Sequence, residues 1–541
     1  MDRKFIGMFS LMVLAGLGIM GILFAEESPW QLVSASNAYV ERYFPQDRVI
    51  DIYVTIDPDD FADMLANPLA EEYKVASVVV DGQKVDYVGI RTKGNSSLRS
   101  VASSSSQRYS FKIDFNQYIK VQNLDGLTKL NLNNSYSDPS FMREYLSYKI
   151  LREMGIPTPA VTYANLYIND QLWGLYLAVE GIEEPFLQRY FGRDWGTLYK
   201  GEGGQGSDLV YIDDQIESYS GIRRMTTLKP GADEKLLQMI KALNQGEQLE
   251  QYLNIDQILR YFAVNTVLVN LDSYVGQFKH NYYLYEENGI FTILPWDYNM
   301  SFGGFGMGGA QSSVSLPIDN PVSGTTLASR PLLGKLLEVP QYKELYHQYI
   351  QEVIEGPFSL EELSQEIQRI GTMIRPYLAN DPTKFYTMEQ FEAAISSNPV
   401  SQQSTFNNQG FAGRGGIPMM GGNAVNLITF IKDRIENLTK QLTGELSTTG
   451  TSYQMNQRIM GGGGRFIPEG GGFDGEFPPV FPDRAEGAAF GRRMPEQNRE
   501  IYPVEQQSVS LNELYILGFS VLLLVIVTVL LHFKKTKHSI R

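Results

Sequence analysis

From Val49 to Phe115 the pattern is strand-like, with apolar residues on alternate positions in several segments, and from about residue 139 a spacing of three and four appears. A period of two sends alternate side chains to opposite faces of a strand. A period near 3.6 draws an apolar stripe along a helix. A chain carrying both in separate blocks is neither all-α nor all-β, so the expected fold class is α+β. In the first block "VIDIYVTI" alternates, "ASVVVDGQKVDYVGIRTKG" reads as a hairpin turning at Asp81-Gly82, and "RYSFKIDF" alternates again. The "NSSLRSVASSSSQ" between the last two reads as a polar, flexible loop.

Asp138 and Pro139 read as the cap and first position of a helix on which Met142, Leu146, Ile150 and Met154 recur, ended by Gly155 and Pro157. "VTYANLYINDQLWGLYLAVE" is two strands joined at Asn169-Asp170, and "IEEPFLQRYFG" a short helix. Two helices follow over residues 232–271, then the stretch "NLDSYVGQFKHNYYLYEENGIFTILPWDYN", read as helix end, loop, strand, turn, strand. Residues 331–397 look mainly helical, and "NAVNLITFIKDRIENLTKQLTGEL" reads as a last amphipathic helix. The plan is two-lobed, with a β-rich lobe over about 48–180 and a mostly helical lobe over about 181–445. Glycine-rich insertions fall at 303–315 and 398–423, and a ligand is expected between the lobes.

The ends of the chain differ from its body. Residues 1–26 carry a short basic region and an apolar run, an export signal or an uncleaved anchor. Residues 448–510 are rich in Gly and Pro and read as a disordered stalk. Residues 514–533 are apolar enough to span a bilayer, and the basic tail 534–541 places that end in the cytoplasm. The expectation is a cell-membrane protein with one C-terminal span and an extracytoplasmic body. A net charge of −15 without a basic stripe argues against nucleic acid. With no cysteine, thiolate chemistry and disulfides are excluded. With four His, two of them His532 and His538 in the tail, a multi-histidine zinc site is not expected.

Several residues could carry chemistry. Lys112 shares a strand face with Asp114, where it either solvates that face or reaches an anionic ligand. Arg91, Lys93, Gly94, Asn95, Ser96 and Ser97 form "RTKGNSS", either a phosphate cradle or an ordinary hairpin end. Of Arg143 and Glu144 one faces inward, and an inward Glu144 needs a cation, for which Lys112 is a candidate. Asp272 stands after an apolar helix, where the helix dipole disfavours an acid. Asn281 opens a strand and Asp297 closes one. Together these three oxygen-bearing residues suit a hard cation, magnesium or manganese. His280 reads as a structural hydrogen-bonding residue.

Six segments, "IRTKGNSS", "SFKIDF", "FMREYLSYKILREMGIPTP", "LYINDQLWGLYLAVEGIEEPFL", "NLDSYVGQFKHNYYLY" and "ILPWDYN", together and in this order resemble the CotH kinase family over roughly residues 48–445. The resemblance implies an atypical protein-kinase-like fold that uses ATP and Mg2+ or Mn2+ to phosphorylate Ser/Thr hydroxyls of surface or spore-coat-like proteins. On that resemblance Lys112 holds the nucleotide phosphates, Glu144 pairs with it, and Glu180 lies in the segment between lobes beside the adenine. Asp272 is the catalytic aspartate, and Asp297 and Asn281 hold metal. The chain departs from ordinary kinases in having "PWDYN" for Asp-Phe-Gly and no ordinary glycine-rich loop. An inactive surface-binding module, or a kinase fold that transfers another group, are the alternatives.

Overall fold

The computed structural model describes residues 38–226, 229–305, 313–397 and 426–450, all within one compact unit. The export signal or anchor, the stalk beyond residue 450, the 514–533 span and the 398–423 insertion lie outside the described residues, as does much of the 303–315 loop. Among the described residues no helix is long and apolar enough to cross a membrane.

The alternating block closes into a barrel. Strands β1 (Ile50–Ile56), β2 (Lys74–Val80), β3 (Gln83–Lys93), β4 (Ser110–Asp114), β5 (Lys129–Asn133), β6 (Val161–Ile168) and β7 (Gln171–Glu180) follow the order β1-β2-β3-β4-β5-β7-β6. Neighbours are antiparallel except β1 and β6, whose parallel pairing closes the barrel. Two tight turns join its hairpins. Asp81 and Gly82 have φ 46 and 85, and Asn169 and Asp170 have φ 48 and 62. Positive φ at both central residues matches the right-handed twist of the flanking strands, which is why Asn, Asp and Gly stand there. Ile52, Val54, Val78, Ile90, Phe111, Ile113 and Leu132 fill the interior.

Three readings of this region change. "NSSLRSVASSSSQ" is not a loop throughout, since Ser96–Ala102 is helix α1, with Leu98 and Val101 buried against the barrel. Two apolar anchors three residues apart outweigh the polar composition around them. Helix α2 spans Arg143–Glu153 and starts four residues later than Pro139. The Asp138 carboxylate accepts the backbone N–H of Ser140 at 2.9 Å and of Arg143 at 2.9 Å. Asp138 thus caps the helix across an intervening turn in which Phe141 has φ 59. Finally, β5 escaped the sequence reading because "KLNLN" is only five residues long and half polar.

Beyond the barrel, β10 (His280–Glu287) and β11 (Ile290–Pro295) are more than a hairpin. With β8 (Thr197–Glu202) and β9 (Ile222–Arg224) they form a four-stranded sheet in the order β11-β10-β8-β9. Helices α3 (Ala232–Gln245), α4 (Ile255–Val267), α5 (Pro340–Glu355), α6 (Leu360–Asn380) and α7 (Leu427–Leu442) pack around one core with α2. Arg434 of α7 is fully buried and donates to the carbonyls of Thr266 (2.9 Å), Val314 (2.7 Å) and Leu316 (3.0 Å). Its charge thereby meets the negative end of α4.

Candidate active site

Register decides which barrel residues face the site. Arg91 pairs with Lys112 and Lys93 with Ser110, while Ile90, Thr92, Phe111 and Ile113 turn inward. Arg91, Lys93 and Lys112 therefore share one outer face. The Lys93 ammonium lies 5.9 Å from the centre of the Trp296 ring, which brings that face against the end of β11.

Glu144 is the residue of the Arg143–Glu144 pair that turns to this site. It is 6% exposed, and Asn133 Nδ2 donates to its Oε2 at 2.7 Å. Lys93 Nζ in turn donates to Asn133 Oδ1 at 2.7 Å. Arg143 is buried elsewhere, near Asp138 and donating to the Ser137 carbonyl at 3.2 Å. Burial, and then the charge of Asp297, push the Glu144 pKa well up. Burial pulls the Lys93 pKa down although Asp297 and Glu144 oppose it.

Glu144 therefore has Lys93 as its cationic neighbour, not Lys112. Lys112 makes no hydrogen bond or ion pair among the described residues, and its charged neighbours are Glu183, Lys129, Arg91 and Asp114. Burial lowers its pKa to about 8. Two other expected ligand contacts are engaged inside the protein. Arg91 pairs with Glu71 and stacks over Tyr73. Glu180 turns into the barrel, where Arg189, the Tyr39 hydroxyl and the Ala160 N–H all meet its carboxylate. Its side chain is a structural anchor. "GNSS" carries the chain from β3 into the seven-residue α1, and Asn95 gives that helix no side-chain cap.

Asp272 is not on a helix. Helix α4 ends at Val267, and Asp272 stands in a loop pinned by Asn265 Nδ2 and Ser273 Oγ, which donate to the Asn270 carbonyl at 3.1 and 2.7 Å. His280 Nε2 lies 2.7 Å from Asp272 Oδ1. Asn281 Nδ2 donates to the Asp272 carbonyl at 2.9 Å and to Oδ2 at 3.3 Å, leaving its amide oxygen for a cation. A bulge between His280 and Tyr282 shifts the β10–β8 register, and such a bulge re-aims the residue within it. Burial opposes a charged His280, yet the hydrogen bond and charge of Asp272 hold its pKa above the ordinary value.

Asp297 follows β11, and its N–H donates to the Tyr148 hydroxyl of α2 at 3.0 Å. Tyr148 also hydrogen-bonds Glu144, so one phenol ties both acids to the same helix. Burial raises the Asp297 pKa; Lys93 counteracts this and Asp272 adds to it. Asp272 and Asp297 thus lie close enough for one charge to be felt at the other.

This donor set can be tested against a divalent cation. Among the described residues no three His, Asp or Glu side chains converge at metal-binding spacing. Asp297, Asp272 and Asn281 offer two carboxylates and an amide. That suits magnesium, which keeps waters and takes one or two protein carboxylates plus ligand phosphates. Burial is the main cause of the raised pKa values of Asp297 and Glu144, and a divalent cation bound beside them would favour their charged forms. The residues present fit the group. Asn133 and Tyr148 were missed from the sequence. The available signal was polar residues at strand and helix positions that face inward.

The CotH kinase protein family model matches residues 90–410. The chain is 25% identical to the Inner spore coat protein H of Bacillus subtilis (strain 168) over 297 residues, 53% of this chain and 78% of that one. It is 21% identical to Invasin CotH3 of Rhizopus delemar over 332 residues, 57% of this chain and 53% of that one, so it spans about half of the invasin. A solved HipA–HipB–operator DNA complex of Shewanella oneidensis MR-1 aligns over 46% of this chain and 58% of that one. Its identity is 12% and its TM-score 0.20, too low to argue from.

Proposed function

We infer the function from one premise: the chain belongs to the CotH kinase protein family, and is kinase-like by that membership. The reading is that the face between barrel and sheet binds ATP with Mg2+ or Mn2+ and transfers a phosphoryl group to a Ser/Thr hydroxyl of a surface or coat-like protein. A two-lobed kinase-like arrangement, with barrel and helical part as lobes, is part of it. The observation that carries it is the grouping of Asp272, His280 and Asn281 by hydrogen bonds, with Asp297, Lys93 and Glu144 near enough to feel one another's charge.

Phosphoryl transfer depends on positioning and charge neutralisation more than on covalent help from the protein. Asp297 and Asn281 would hold the metal, which when bound supplies charge neutralisation at the phosphates. Lys112, a half-buried cation with no hydrogen bond or ion pair among the described residues, would contact phosphate oxygens, and Lys93 would do so nearer Asp297. Asp272 would align the acceptor hydroxyl and accept its proton, with His280 and Asn281 fixing its carboxylate. The coat and invasin names of the relatives support a surface location for the body, with the 514–533 run as a tether.

Calorimetry with ATP and each metal, beside a transfer assay on a Ser/Thr-bearing protein, tests this. Asp297→Ala loses metal-dependent nucleotide binding. Asp272→Ala keeps binding and loses transfer by about 10²–10⁴-fold, the usual range for a general base. Equal transfer by wild type and the Asp272 variant rejects the assignment. Absence of nucleotide binding in wild type favours a surface-binding module.

A further inference from the structure

In protein kinases the lysine that meets the helix glutamate sits on the third strand of the small lobe. Here the strand leading into α2 is β5, and the residue it presents to Glu144 is Asn133. The cation comes from β3, two strands away. Lys93 pairs with Ser110, and the β4–β5 register, with Phe111 opposite Leu132, sets Ser110 opposite Asn133. Lys93, Ser110 and Asn133 therefore form one cross-strand row spanning about 10 Å. The middle member is small, so a lysine can pass over it to the third strand.

We propose that Asn133 is a positioning residue: accepting from Lys93 and donating to Glu144, it holds the Lys93 ammonium beside Asp297, where ligand phosphates bind. This rests on the kinase reading above. The Asn133 amide meets both demands at once, its oxygen accepting and its nitrogen donating, with more reach than a serine hydroxyl. An ammonium has donors and no acceptor, and the Glu144 oxygen facing the amide is the accepting one. The same requirement fixes the amide orientation, with oxygen to Lys93 and nitrogen to Glu144. A direct Lys–Glu pair would draw the ammonium towards α2. The amide keeps it one residue's width away, over Trp296.

The test is a double-mutant cycle read by calorimetry with a non-hydrolysable ATP analogue and Mg2+, alongside melting temperature. Asn133→Leu and Asn133→Ser are each made alone and with Lys93→Met. We expect each single variant to weaken binding by about tenfold or more, the scale of one hydrogen bond to a charged group. Each double variant should bind no more weakly than Lys93→Met alone, because Asn133 acts only through that lysine. Asn133→Gln, which keeps an amide, should recover part of the loss. Losses that add in the double variants, or unaltered binding in both Asn133 single variants, overturn the proposal, as does a lowered melting temperature with unaltered affinity. Wild type that fails to bind the analogue overturns the kinase reading instead.

Discussion

Asn281 and Asp297 both hold a left-handed backbone, φ 57 in each. For most side chains that conformation is costly, and strain of this kind collects at functional sites. Asn and Asp tolerate it best, because a short polar side chain can hydrogen-bond locally. Two oxygen-bearing residues thus sit at joints where the chain turns sharply. Their placement at element ends could be read from the sequence, whereas Asp272 lies in a loop past the end of α4. The partner of Glu144 could not, because choosing Lys93 over Lys112 depends on a register across three strands. Among the described residues Lys112 makes no hydrogen bond or ion pair, and burial lowers its pKa to about 8. The sign follows directly. A depressed lysine pKa means that the charge is present below about pH 8 and lost above it. A bound phosphate favours the charged form. Nucleotide affinity should therefore fall as pH rises through about 8. Calorimetric titrations at about pH 7 and pH 9 should show that fall in wild type. In Lys112→Met the Lys112 contribution should be gone, with affinity already low at the lower pH. A wild-type decline that persists undiminished in the variant would remove Lys112 from the site.

Helix α2 is held from several sides. Ser147 and Ser301 share a 2.7 Å hydrogen bond, Tyr145 donates to Gln46 at 2.7 Å, and Arg369 of α6 donates to Tyr145 at 3.1 Å. The helix that carries Glu144 is tied both to the chain before β1 and to the helical part. The loop after α6 adds a second tie. Asp381 and Arg108 form an ion pair with both side chains fully buried. Asp381 also accepts the Leu175 N–H of β7 at 2.8 Å, and Thr383 donates to the Trp173 carbonyl at 2.6 Å. Removing one partner of a buried pair strands the other charge. Asp381→Ala should cost about 3–5 kcal/mol, seen as an earlier midpoint in urea unfolding. A change below about 0.5 kcal/mol would show that this tie does not hold the parts together. None of this was legible beforehand, since residues 108 and 381 are far apart in the chain. The hairpins of the barrel were legible because turn chemistry and alternation act locally. The parallel closure of β1 on β6 was not, because alternation gives each strand a face but not its neighbour.

The whole body joins two differently built parts, a barrel whose core closes on itself and a helical assembly around a four-stranded sheet. Net charge described this molecule poorly. The chain carries −15, yet Arg91, Lys93, Lys112, Lys129 and Lys200 gather around the face where the parts meet. Local potential, not the sum, decides what binds there. A ligand seated between two parts contacts both, and one that binds the folded state alone stabilises it by RT ln(1 + [L]/Kd). At a hundredfold excess over Kd this is about 2.7 kcal/mol. ATP and metal together should therefore raise the melting temperature by a few degrees. ATP with a chelator, or metal alone, should give little of that rise, because Asp297 and Asn281 would reach the phosphates only through the metal. The same mixture should leave the melting temperature of Asp297→Ala unmoved. An equal shift with ATP in chelator would mean that the lysines alone bind the phosphates. Asp297 and Asn281 would then have to be explained by folding, not by a metal.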